Sequence, residues 1–218
     1  PLEIAAGIIL IGSSPSGLAS NVMAYLAKAN IALSVTLTAV ATLLAPIMTP
    51  FLMKTLAGSF VPIDFIAMMT SIFKIVIVPV LLGLIFNYFF HGKAKWLDKA
   101  MPIISMAGIG FIIMIITAAG RDDLLSIGLL LILAAIIHNL LGYVFGYWGC
   151  RVFGMSEQDC RTIAFEVGMQ NGGLATGIAL EMGKISTVGL APAIFGPWMN
   201  ISGSSLATWW RDKEPKNK

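Results

Sequence analysis

Apolar positions along this chain fall in long blocks rather than in alternation, and short polar links punctuate them. Blocks such as LLSIGLLLILAAIIHNLLGYVFGYW (124–148) reach the ~20 residues that a helix needs to cross hydrocarbon at 1.5 Å per residue. The alternating pattern of about ten residues that marks a membrane-barrel strand does not occur. The blocks predict an all-α polytopic membrane protein with seven spans, at roughly 3–27, 31–56, 62–90, 96–119, 123–153, 158–184 and 187–210. HGKAKWLDK (91–99) is the longest polar link, and RDKEPKNK (211–218) reads as a solvated, disordered tail.

Two spans break the pattern. GSSPSGLASN (12–21) and AFEVGMQNGGLATG (164–177) place proline, glycines, hydroxyls and amides at membrane depth, where unravelled backbone survives only if it lines protein or a water-filled cavity. The sixth span lies five after the first. An odd offset inverts a repeated unit in the membrane, the signature of transporters whose paired broken helices hold the binding site near the midplane. A five-span unit ending with the first two spans predicts three further helices ahead of them. The absence of an initial Met and of a signal-peptide n-region agrees with a chain that starts partway through a longer protein.

Composition supports the membrane assignment: 57% of side chains are hydrophobic, 11% are charged, and the mean hydropathy is +0.87, against the roughly 25% charged content of soluble domains. The formal charge of +3 follows from topology and does not point to nucleic acid, because the basic residues sit in short loops. One side collects ten, Lys28, Lys93, Lys95, Lys99, Arg151, Arg161, Arg211, Lys213, Lys216 and Lys218; the other collects three, Lys54, Arg121 and Lys184. The richer side, with the C-terminus, is therefore expected in the cytoplasm, with Trp148, Trp209 and Trp210 as interfacial anchors. Cys150 and Cys160 form no disulfide framework or C-x-x-C motif, and His91 and His138 have no partners at metal-ligand spacing.

Glu166 carries the sharpest chemistry, as the acidic residue placed deep inside a span. An uncompensated carboxylate there costs at least ~3 kcal/mol, so a bound Na⁺ or a proton is expected to offset it; the plainer alternative is a protonated Glu bonded across helices. Ser34 and Thr38, four apart, share a helix face. They either join such a site or bond back to helical carbonyls, as hydroxyls often do. Glycines 172, 173 and 177 serve either close helix packing or ligand contact. His138 and Asn139 are expected to bond across helices, Lys74 to snorkel toward water, and the methionines to pack as ordinary apolar side chains. The serines near the first break could feed an intramembrane hydrolase only with a base in reach, His138 being the candidate at that depth, and no G-x-S-x-G elbow is present.

PSGLASN (15–21) and EVGMQN (166–171) resemble the two broken-helix motifs of the bile acid:sodium symporter family, whose bacterial members usually read P-G-G-x-x-S-N and E-x-G-x-Q-N. The resemblance spans the whole chain and implies the fourth to the last of ten helices in a bacterial inner-membrane protein that is not an enzyme. It implies core helices at 1–57 and 121–218, panel helices at 58–120, and two crossing broken helices. It implies one sodium site from Ser20, Asn21, Ser34, Thr38 and Glu166. A second would use Glu166 again with the carbonyls of Val167 and Met169 and the side chain of Gln170, together with a glutamine from a helix outside this chain. Substrate contacts fall on Asn171 and Asn200, while Leu18 and Met199 stand where relatives carry Thr and His. Those departures each lose a hydrogen-bonding group, so the expected substrate is a bile acid-like or a smaller carboxylate. Two sodium ions and one carboxylate leave an excess of about one positive charge, which favours a monoanion. The implied function is sodium-coupled import of an organic anion, with a sodium/proton exchanger of related architecture as the alternative; the partners are that anion, the lipid bilayer and the N-terminal helices of the same protein.

Overall fold

The computed structural model describes residues 2–90 and 95–213. His91, Lys93 and the first part of the 91–99 link lie outside the described residues, as do Glu214, Lys216 and Lys218 of the tail. Among the described residues every regular element is a helix. In chain order these are α1 (Leu2–Gly12), α2 (Leu18–Leu26), α3 (Ile31–Ala57), α4 (Phe65–Ile72), a π turn (Phe73–Ile77), α5 (Val78–Phe90), α6 (Lys95–Ala119), α7 (Arg121–Val152), α8 (Glu157–Gly168), α9 (Gly172–Glu181) and α10 (Leu190–Arg211). Among the described residues three continuous helices, Ile31–Ala57, Phe65–Phe89 and Arg121–Val152, are long and apolar enough to cross a membrane. This is an integral membrane protein.

The two breaks fall where the polar motifs predict them, between α1 and α2 and between α8 and α9. They cross, and each satisfies the other. Gly17 N–H donates to the Met169 carbonyl (3.1 Å), and Asn171 N–H donates to the Pro15 carbonyl (2.7 Å), forming a short antiparallel bridge between Ser16 and Gln170. Groups that would cost several kcal/mol unpaired in hydrocarbon are thereby paired within the protein. The outgoing end of α1 is closed from α3, where the Thr49 hydroxyl donates to the Ser13 carbonyl (2.8 Å).

Side-chain caps fix the half-helices. Ser156 accepts from Asp159 N–H at the start of α8 (3.2 Å), and Asn171 accepts from Leu174 N–H at the start of α9 (3.0 Å). The α2 N-cap is Gly17, which offers no side-chain acceptor. Its position in the crossing explains the residue, because a Cβ there would stand 3.2 Å from the Gln170 carbonyl oxygen.

α8 lies against α7 through backbone-to-backbone approach at two glycines. A Cβ at Gly142 would come within 2.7 Å of the Gly168 Cα, and one at Gly146 within 2.6 Å of the Ile163 carbonyl oxygen. Small faces of this kind hold membrane helices together where burial of apolar surface supplies little drive. Asn139 reaches across the seam, donating to the Gly168 carbonyl (2.7 Å) and accepting from the Ser202 hydroxyl of α10 (2.6 Å). Asn139 is thus the interhelical bond its sequence context predicts. His138 packs edge-on to Phe195 of α10, 5.4 Å between ring centroids, and has the Gln170 side chain as its polar neighbour, while its Nε2 makes no hydrogen bond of normal geometry among the described residues.

Arg161 also departs from its sequence expectation, because it is not a solvated loop charge. It is 2% exposed in α8 and pairs with Glu157 (3.1 Å). It also donates to the carbonyls of Ala27 (3.1 Å), Trp210 (3.0 Å) and Lys213 (3.1 Å). The guanidinium lies 5.7 Å from the Trp210 ring centroid. Trp210 is accordingly buried under this cation, whereas Trp148 and Trp209 are exposed at the same end as expected of interfacial anchors. The long planar fork suits three carbonyls at helix ends, which a single ammonium could not reach together.

Candidate functional site

Glu166 sits nine residues into α8, about 14 Å from its start at 1.5 Å per residue, and is buried at the crossing. Hydroxyls surround its carboxylate. Oε1 accepts from Ser20 (2.7 Å) and Ser34 (2.7 Å); Oε2 accepts from Ser16 (2.6 Å) and Thr38 (2.8 Å). The Asn21 amide oxygen closes the ring, 2.6 Å from the Ser34 hydroxyl and 3.2 Å from that of Thr38. The contributors come from the first break with α2, from the first turns of α3, and from α8, so the site forms only when the breaks cross.

Each hydroxyl carries one proton, yet several oxygens here face two acceptors. Ser34 lies within hydrogen-bond distance of both Glu166 and Asn21, Thr38 of both as well, and Ser20 of both Glu166 and the Gly17 carbonyl (2.8 Å). Oxygens crowded beyond their supply of protons form a cage whose chemistry suits a hard cation. The structure thus brings together all five residues of the first predicted set, Ser20, Asn21, Ser34, Thr38 and Glu166. Ser34 and Thr38 do not take the back-bonding alternative. Ser16 joins them as a sixth member; it lies inside PSGLASN where the resembling motif usually reads Gly, and the fold is what brings its hydroxyl to the carboxylate.

The second predicted set is arranged differently. The Val167 carbonyl accepts from the Gln170 side-chain amide (2.7 Å), and the Met169 carbonyl accepts from Gly17 N–H (3.1 Å). The Gln170 Oε1 atom is buried and makes no hydrogen bond of normal geometry among the described residues. It borders a 670 Å³ cavity together with Glu166, Ser16, His138 and Gly142. The serines are also placed away from hydrolytic use: the Ser14 hydroxyl donates to the Leu10 carbonyl (2.8 Å), while Ser16 and Ser20 donate to Glu166.

All four predicted substrate positions, Leu18, Asn171, Met199 and Asn200, line a single 420 Å³ cavity that also reaches Gly17 and Gln170 of the crossing. Gly172, Gly173 and Gly177 line it as well. A Cβ at any of these three would meet nothing closer than 3.5 Å, so tight helix packing is not what these glycines serve. The uncapped start of α2, at Gly17, Leu18 and Ala19, opens onto the same cavity.

The model of the sodium bile acid symporter family matches residues 1–127. The uncharacterized sodium-dependent transporter YocS of Bacillus subtilis is 42% identical over all of this chain, which covers 68% of that relative. The chain belongs to the sodium bile acid symporter family. Other members that match it are the probable chloroplastic sodium/metabolite cotransporter BASS1 of Arabidopsis thaliana, 34% identical over 99% of this chain, and BASS2 of rice, 33% identical over 96%. The chain spans 54% of the former and 50% of the latter. These relatives are named as transporters rather than enzymes, and the similarity to them runs through both broken-helix motifs.

Proposed function

We propose that this chain works in a sodium-coupled symporter that imports a small organic anion across the bacterial inner membrane by alternating access. The observation that carries the proposal is the adjacency of two unlike sites at one crossing. A buried carboxylate ringed by hydroxyl and amide oxygens lies at the crossing beside a mostly apolar cavity that has Asn171 and Asn200 on its wall. Ser16, Ser20, Asn21, Ser34, Thr38 and Glu166 hold one sodium ion as cargo. A second sodium ion is taken up beside Glu166 and the Gln170 side chain, and the Val167 and Met169 carbonyls complete that position through their second lone pairs.

Two cations against one carboxylate leave about one net positive charge in a low-dielectric site, which a monoanion neutralises. The α2 N-terminus adds to that field where it opens on the cavity. Leu18 and Met199 supply no hydrogen bond, so the anion is oriented by Asn171, Asn200 and Thr176 and by backbone amides at the helix starts. Coupling follows from charge: the anion is stable in the cavity only after the cations load, and the cations gain when it arrives. Movement of the helices at 58–120 against those at 1–57 and 121–218 would expose the site alternately, and the basic cytoplasmic side fixes the C-terminus inside. The proposal extends to the seven spans described above as part of a ten-helix inverted repeat.

A sodium/proton exchanger would use Glu166 but leaves the 420 Å³ cavity without a role. Full-length protein in proteoliposomes tests the distinction. An inward sodium gradient is expected to drive accumulation of a labelled monocarboxylate. Proton release on sodium addition with no uptake of any acid in a panel of small organic anions would replace symport by exchange.

A further inference from the structure

Lys74 is a charged residue inside an apolar span that neither the sodium cage nor the organic-anion cavity uses. It lies within the apolar Phe65–Phe89 span, nine residues from its start, and so about 14 Å into a hydrocarbon layer of roughly 30 Å. Lys74 is exposed on its helix, and an ammonium near the centre of such a span costs ~2.5–3.5 kcal/mol unless it is paired or its stem carries it toward water. Among the described residues Lys74 has no ion-pair partner. Glu181 accepts from Ser71 (3.3 Å), and Asp64 is engaged as the α4 cap, accepting from Ala67 N–H (3.0 Å).

The surroundings of Lys74 are built rather than flat. It sits in the π turn Phe73–Ile77, an irregularity that widens a helix and often marks a functional position. The turn faces α3 near Pro46, and between them lies a 530 Å³ cavity, within the roughly 300–1,000 Å³ of small-molecule sites. Leu43, Pro46 and Ile47 form one wall; Met69, Phe73 and Ile77 form the other, with Thr70 and Lys74 as the polar groups. None of these residues borders the organic-anion cavity.

We propose that this cavity binds a carboxylate-headed amphiphile from the membrane, such as a free long-chain fatty acid. Its carboxylate pairs with Lys74, since the Thr70 hydroxyl is already donated to the Ile66 (3.0 Å) and Ala67 (2.8 Å) carbonyls, and its tail lies in the apolar groove. One cation in a hydrocarbon-walled pocket selects an anion with a long apolar body, and the depth selects a molecule that can leave the headgroup layer. A phospholipid cannot place its phosphate there without carrying its whole headgroup to the midplane.

The test uses full-length protein in nanodiscs of zwitterionic lipid, photolabelled with palmitate bearing a diazirine in its chain. Label is expected on the peptide containing residues 65–77, displaced by excess laurate but not by dodecanol or phosphatidylglycerol. Lys74→Met is expected to cut labelling about tenfold while Lys74→Arg, which keeps the charge, retains it. Glu166→Gln is expected to leave labelling intact, which separates this site from the symport proposal. Equal displacement by dodecanol would show that the charge is irrelevant, and displacement by phosphatidylglycerol would show that a lipid phosphate reaches Lys74; either overturns the proposal in the unaltered protein, whether or not the Lys74 variants fold. Undiminished labelling of Lys74→Met would also overturn it.

Discussion

At the scale of single residues, Glu166 concentrates the charge and its neighbours concentrate the hydrogen bonds, so substitutions divide the two contributions. Glu166→Gln keeps an acceptor but removes the charge, and is expected to abolish sodium-dependent thermal stabilisation; an unchanged sodium response would take Glu166 out of the ion site. Ser16→Ala removes one oxygen from the cage and a hydrogen bond to the carboxylate (2.6 Å). Bonds to charged groups contribute about 1.5–3 kcal/mol, so sodium affinity measured by calorimetry should fall at least about tenfold. Ser13→Ala is the matched control, since Ser13 enters the fold through its backbone carbonyl, and it should bind sodium as the parent does. Glu166 was legible in the sequence because a carboxylate deep in an apolar run costs at least ~3 kcal/mol unless something offsets it. Ser16 was not, because its role depends on a chain direction that the break decides.

At the scale of elements, the broken helices stand or fall with their seams. Gly142→Val forces a branched side chain into the space occupied by the Gly168 backbone. Overpacking of this kind costs about 1–3 kcal/mol, and because α8 carries Glu166, thermal stability and sodium affinity should drop together. Gly149→Val on the same helix meets nothing within 4 Å and is expected to change neither. Arg161 belongs to this scale as well. Its loss leaves Glu157 and three helix-end carbonyls without a shared donor, and breaking a buried pair costs about 3–5 kcal/mol. Arg161→Ala should therefore lower the unfolding midpoint in detergent, whereas a surface-like response would return Arg161 to the solvated loop its sequence position implied. The helix breaks were predictable from Pro15 and the glycines. Their mutual pairing was not, since Gly17 and Met169 lie far apart in sequence and meet only in the fold.

At the scale of the whole molecule, topology and transport make separate predictions. The basic side should be cytoplasmic. Lys184→Cys would then label with an impermeant maleimide in intact cells, while Asp212→Cys would label only after lysis. The two natural cysteines are buried and give little background. The reverse pattern would invert the molecule. Asn200 faces the 420 Å³ cavity and takes no part in the oxygen cage, so Asn200→Ala should raise the KM for the organic acid several-fold while leaving sodium stabilisation as it was. A joint loss of both would place Asn200 in the ion site.

The sequence by itself determined that the chain is an integral membrane protein of helices, where its helices break, which carboxylate lies deep, and which family it resembles. Those properties are local: apolar run length, proline and glycine placement and short motifs act within a turn or two of the residues concerned. Only the tertiary structure decided that the two breaks satisfy one another, that Ser16 completes the ring around Glu166, that the Val167 and Met169 carbonyls are already engaged, and that Arg161 is buried among three helix ends. Each of these depends on atoms brought together from distant parts of the chain, and no local propensity encodes which hydroxyl will face a given carboxylate once two interrupted helices cross.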